Sequence, residues 1–221
     1  MNGVRTGWCG AVLLAVVLFG AGQLAAQEGD QKRQDTPQPD ARQMDPARMA
    51  EMMKAMMPGP HHEHLKKFAG TWHLQTKMMV PGAPPTESKA TSRAELILGG
   101  RYIREELSGS VMGMPFEGFG LTGYDNQKEV YQSVWVDNMS TTMMVMTGTC
   151  DESGKVFTYQ TEYTDPMTGQ LARMRGVLTF VNDQKYVYAM YQVGADGEDT
   201  KTMEIVYTRQ PAKAVTAEEV E

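Results

Sequence analysis

From Gly70 onward the chain alternates short runs rich in Thr, Val, Tyr, Phe and Met with turn residues, and this rhythm limits the fold more than any other feature. The alternation predicts strands over Thr71–Val80, Ser88–Leu98, Arg101–Ser110, Met114–Tyr124 and Glu129–Asp137. It predicts five more over Ser140–Thr149, Val156–Thr164, Gln170–Phe180, Gln184–Gln192 and Thr200–Arg209. Between them stand Gly99-Gly100, Asp125-Asn126, Asp137-Asn138, Asp165-Pro166 and Asn182-Asp183, residues that turn a chain cheaply. Strands joined by short connections form an antiparallel meander. A sheet of about ten strands curls, and closure removes its exposed edges. The expected fold is all-β: one antiparallel up-and-down barrel of about ten strands spanning residues 69–210, with one or two short N-terminal helices that cap or line its opening.

The segment before the barrel has three textures. Arg5, the apolar run Ala11–Phe19 and the small residues around Ala25-Ala26 read as a secretory leader over 1–26, cleaved near Ala26. That run is too short to span a bilayer. Residues 27–43 are polar and Pro-containing, with too little apolar surface to fold, and read as a disordered linker. In 44–68, Asp45 is a ready N-cap, Pro46 suits the first helical position, and Met49, Met52, Met53, Met56 and Met57 fall on one helical face. Pro58-Gly59-Pro60 stops that helix, and a second follows over about His61–Phe68. The Met face is expected to dock across the mouth of the barrel, thioethers being good fillers of irregular gaps. Residues 211–221 form an acidic tail.

The net charge of −6 excludes a nucleic-acid partner, which needs clustered Lys and Arg. No span remains after leader removal, so the reading is a secreted or periplasmic protein whose protein partners, if any, the sequence leaves open. Of two cysteines, Cys9 lies in the leader, leaving Cys150 without an internal disulfide partner.

Several longer strings carry a resemblance. Gly70-Thr71-Trp72 resembles the Gly-x-Trp entry of lipocalin and calycin barrels, in which the Trp plugs one end. Leu98-Gly99-Gly100-Arg101-Tyr102, Met112–Gly118, Gly123–Asn126, Trp135–Asn138, Thr164–Gly169 and Lys201–Ile205 together resemble the secreted bacterial family designated domain of unknown function 1579. The resemblance covers about residues 50–209 and implies a bacterial source and a lipocalin-like barrel. It implies no ligand and no catalytic residue.

Function therefore rests on what the barrel could hold. A closed barrel of this size encloses a cavity lined by side chains. Trp72, Tyr102, Arg104, Trp135, Met144, Met146, Tyr159 and Tyr188 are the expected lining, suited to a small, largely apolar molecule. The cofactor, if one exists, stays unidentified. Three other readings stand beside it. One is an interaction module with a filled barrel. Another is an enzyme using strand carboxylates such as Glu95, Glu106 or Glu162. The third is copper or other metal binding through Met53, Met57, His61 and His64, thioether sulfur being a soft ligand. All four histidines lie between His61 and His73, so a haem iron held by His would take it from the first strand or the helix before it.

Overall fold

The computed structural model describes residues 45–165, 168–194 and 197–211; the expected leader, linker and almost all of the tail lie outside them. Two helices, α1 (Pro46–Met56) and α2 (Pro60–Leu65), precede a 3-10 turn at Lys66–Phe68. Ten strands follow: β1 (Gly70–Met78), β2 (Thr86–Ile97), β3 (Tyr102–Val111), β4 (Met114–Asp125) and β5 (Val130–Asp137), then β6 (Met144–Cys150), β7 (Val156–Thr164), β8 (Leu171–Asn182), β9 (Lys185–Val193) and β10 (Asp199–Arg209). Each strand pairs antiparallel with the next, and β1 pairs with β10 through Trp72↔Arg209 to Met78↔Met203, which closes the barrel. The expected up-and-down barrel is the observed one. Among the described residues, no helix is long and apolar enough to cross a membrane.

Side chains alternate between lumen and outer wall along every strand. The lumenal set is fixed by the buried members: Trp72 and Leu74 on β1, Ile103 and Leu107 on β3, Tyr131 on β5, Met146 on β6, Phe157 and Tyr159 on β7. Register carries it on through Met174, Leu178 and Phe180 of β8, Tyr186 of β9 and Tyr207 of β10.

One end is sealed. α2 and the turn after it push Leu65 and Phe68 under the barrel, where Phe68 meets Phe157 and Phe180 edge-on at 5.3 and 4.9 Å. Trp72 is wholly buried there and donates its indole N–H to the Phe68 carbonyl at 2.8 Å. The Arg209 guanidinium lies 4.0 Å over the Trp72 ring and donates to the carbonyls of Lys67, Ala69 and Asp183. The expected Trp plug is thus present, locked by a cation–π contact and a fork of hydrogen bonds.

Two expectations are corrected. β6 begins at Met144 and not at Ser140, because Met139 N–H is held by Asp137 Oδ1 and Thr142 N–H by Ser140 Oγ, both at 2.9 Å. These side-chain turns draw Ser140–Met143 out of the ladder and leave Met143 65% exposed. The Met face of α1 does not cover the mouth. No α1 residue is buried, and Met49, Met52, Met53 and Met56, with Met57 at its C-cap, are all exposed. The C-terminal end of α1 is tied to the sealed end instead, by Arg101 donating to the Met56 carbonyl at 3.1 Å and Asn126 donating to those of Ala55 and Met57 at 2.9 Å.

Candidate functional site

Toward the end away from α2 the inward rows pack less tightly. Trp135, Met144, Tyr163, Tyr188, Met190, Met203 and Ile205 belong to the inward rows, yet each keeps part of its surface open, while the floor residues Trp72, Tyr131 and Phe157 do not. The lumen is thus packed tight at the α2 end, with Leu74, Leu107, Met146, Tyr159 and Met174 buried above it, and loosens toward the other end. Its walls are kept thin by glycine. A Cβ on Gly118 would sit 2.2 Å from the Trp135 ring, one on Gly176 2.3 Å from the Tyr188 hydroxyl, and one on Gly148 2.7 Å from the Tyr159 ring. Each large aromatic therefore folds flat over a glycine of the neighbouring strand instead of crossing the lumen. These rings are the reason for the missing Cβ at Gly118 and Gly176.

The polar centre of the pocket is Glu105. Its neighbours two residues away on the same face, Ile103 and Leu107, are buried, and Glu105 points inward with them. The Ser92 hydroxyl donates to Glu105 Oε1 at 2.6 Å, and the Tyr207 hydroxyl bonds the same carboxyl. Burial holds the Glu105 carboxyl above the usual carboxylate range, and the two hydroxyls offset part of that rise. Nearer the mouth, Trp135 Nε1 donates to Asp137 Oδ2 at 2.9 Å. On the far wall Tyr188 donates to the Met146 sulfur at 3.7 Å. Burial raises the Tyr188 hydroxyl to about 12, so it stays protonated as a donor. Among the described residues the inward rows hold two carboxylates, Glu105 and Asp137, and one cation, Arg209, which stands at the floor end of β10 opposite Trp72 and is folded over its ring.

Of the expected lining, Trp135, Met144, Met146, Tyr159 and Tyr188 face the lumen. Three residues do not line it. Trp72 is built into the floor. Tyr102 and Arg104 share the outer face of β3: Tyr102 is 38% exposed and lies over Gly123, and Arg104 pairs across the wall with Glu95 at 2.5 Å and Glu106 at 3.6 Å. Apolar Ile103 and Leu107 claim the core side, and the alternation turns their neighbours out. The carboxylates expected for chemistry, Glu95, Glu106 and Glu162, are on the outer face for the same reason. Glu105, which sequence reasoning passed over, is the inward one.

The histidines gather beneath the floor. His61 stacks on Tyr124 with ring centroids 4.2 Å apart, His62 Nδ1 accepts from Gly59 N–H at 3.0 Å, and His64 Nδ1 meets the Tyr131 hydroxyl at 2.9 Å. That hydroxyl also donates to the His61 carbonyl at 3.0 Å, so it accepts from His64. His73 lies on the outer face of β1, exposed. A haem in the lumen thus finds no His ligand among the described residues. Of the two methionines expected in a metal arm, Met57 takes a contact at its sulfur from Arg101 at 3.6 Å and Met53 faces solvent. Among the described residues no three His, Cys, Asp or Glu stand close enough to hold a metal ion. Cys150, partly buried, has its thiol pushed up to about 11, chiefly by burial and then by Asp151, which makes it a poor nucleophile.

Two recesses lie on the outside of the wall. One of about 630 Å³ runs across the outer face of β2–β5 past Arg93, Glu106, Glu117 and Phe119; the other, about 390 Å³, crosses β1–β3. Both are open to solvent, and neither reaches Glu105.

The profile of the protein of unknown function family DUF1579 matches residues 57–209. The chain belongs to this family. The DUF1579 match runs from Met57, just after α1, to the end of β10, so it takes in both floor and lumen. No curated protein matches the chain. Among solved structures, this DUF1579 barrel is similar to Rv2717c from M. tuberculosis, at 13% identity and a TM-score of 0.51, over 70% of this chain and all of that one. It is also similar to the S-type phycobiliprotein lyase CPES from Guillardia theta, at 14% identity and a TM-score of 0.51, over 74% of this chain and 98% of that one. At those identities the likeness concerns the fold.

Proposed function

We propose that the protein is an exported binding protein that holds one small, largely apolar molecule in the lumen of its barrel. The observation that carries this reading is the contrast between a floor packed to zero exposure at Trp72 and Phe157 and an upper lumen where Trp135, Met144, Tyr163, Tyr188 and Met190 keep open surface. Glycines beneath Trp135, Tyr159 and Tyr188 preserve that space, where Ala would force the rings across it. The lining combines apolar area with a few convergent polar groups, the usual composition of a small-molecule site. Export is supported by the leader-like segment 1–26.

Native mass spectrometry of the protein, purified gently from a bacterial host that exports it, tests the binding reading. The expected result is an added mass of small-molecule size that is lost on denaturation. A bare mass, unchanged after exposure to a crude lipid extract, overturns it. N-terminal sequencing of material recovered outside the cytoplasm tests export: the expected first residue is Gln27, and retention of Met1 contradicts it.

A further inference from the structure

The lumen has a sign. Among the described residues, the two charged groups that its inward rows hold above the floor are both carboxylates: Glu105 at mid-depth and Asp137 at the rim. The cations nearest to it are all placed elsewhere. Arg93 and Arg104 sit on the outer wall with Glu95, and Arg175 pairs outside with Asp199 and covers the Tyr191 ring at 4.5 Å. Lys201 pairs with Glu204, and Arg209 is committed to Trp72 and three carbonyls beneath the floor.

We propose that the guest is an apolar molecule bearing a protonated nitrogen, an amine or amidine, seated on Glu105, and that the lumen rejects apolar carboxylates. This rests on the reading that the lumen binds a small molecule, and adds its chemical class. A carboxylate guest would be buried beside Glu105 with no cation to meet it, which is costly. A cationic guest supplies the one partner that Glu105 lacks. Ser92 and Tyr207 remain in place to satisfy the carboxylate's other lone pairs, the condition under which a buried ion pair is favourable. The faces of Trp135, Tyr159 and Tyr188 add cation–π attraction along the path to Glu105.

The test uses three probes of one chain length, dodecylamine, dodecanol and dodecanoate, each below its micelle concentration. They compete at pH 7 against the neutral apolar fluorophore N-phenyl-1-naphthylamine bound to the full chain. The expected order is amine first, needing about a tenfold lower concentration than dodecanol, with dodecanoate weakest. E105Q should bring the amine down to the level of dodecanol. E106Q, which removes the same charge from the outer wall, should leave the order as it was. Equal displacement by amine and carboxylate in the unaltered protein, or an amine preference that survives E105Q, overturns the proposal while leaving lumenal binding standing. A fluorophore that never binds, with no probe registering by calorimetry, overturns both. The order measured in the unaltered protein decides the question even if E105Q does not fold.

Discussion

Ser92 Oγ lies 2.6 Å from Glu105 Oε1 inside the barrel, so a hydroxyl with no exposed surface is committed to the one carboxyl at the lumen's mid-depth. This pair makes stability depend on pH in a defined direction. Burial raises the Glu105 pKa, so the uncharged carboxyl is the form that folding favours. Its contribution is complete at low pH and is lost as pH rises through the raised value. E105Q, neutral at every pH, should match the unaltered protein in Tm near pH 4.5 and exceed it near pH 8.5. S92A should cost about 1–3 kcal/mol and push Glu105 further up, since the lost bond favours the charged form. Thermal unfolding across that range checks both, and a pH-independent gap between E105Q and the unaltered protein contradicts the placement of Glu105.

The floor should respond to acid in the opposite sense. Burial, with Arg101 next, lowers His62; burial, then Lys67 and His61, lowers His64, and Asp151 pulls His64 weakly the other way. Stability drawn from the neutral imidazoles is present above the ordinary His value and is lost as pH falls through the lowered ones. Amide exchange in α2 and Lys66–Phe68, corrected for intrinsic rate, should quicken on going from pH 7 to pH 5, ahead of the strands. In H62Q/H64Q that pH step should shrink. Exchange that quickens equally throughout the barrel would locate the acid sensitivity elsewhere.

Two glycine substitutions should separate ring displacement from backbone clash. A Cβ at Gly176 meets the tip of Tyr188, which can swing, whereas one at Gly148 meets the Thr158 carbonyl at 2.4 Å as well as the Tyr159 ring. G176A is expected near the lower end of the roughly 1–3 kcal/mol typical of overpacking, and G148A at or above the upper end. Denaturant midpoints at fixed pH order the two. G176A should also weaken guest binding, because Tyr188 is driven into the lumen.

The barrel was legible because ten alternating runs with turn chemistry between them leave little topological choice, and the Trp72 plug followed from a three-residue string. The lumen was less legible. Ile103 and Leu107 flank Glu105 at spacing two, so the alternation itself marks Glu105 as inward; the charges on either side, Arg104 and Glu106, drew attention to the wrong face. Arg104 is satisfied by Glu95 on the next strand, a pairing that depends on register and is invisible in one strand alone. The same limit applies to α1. Its Met periodicity shows an apolar face but not what that face touches, and the tether to the sealed end runs through Arg101 and Asn126, both distant in sequence.

The central claim is that the upper lumen is a binding pocket. Ala172 is half-buried on the inward row of β8 near the mouth, opposite Tyr163, and a large ring there would close the entrance without touching the floor. The direct measurement is a fluorescence titration of the full chain and of A172W with N-phenyl-1-naphthylamine. The account predicts saturation at one probe per chain with a Kd of micromolar order, and at least about a tenfold weakening in A172W. Equal binding by the two proteins, or no saturable binding by either, would mean that the barrel is filled and the pocket is not there.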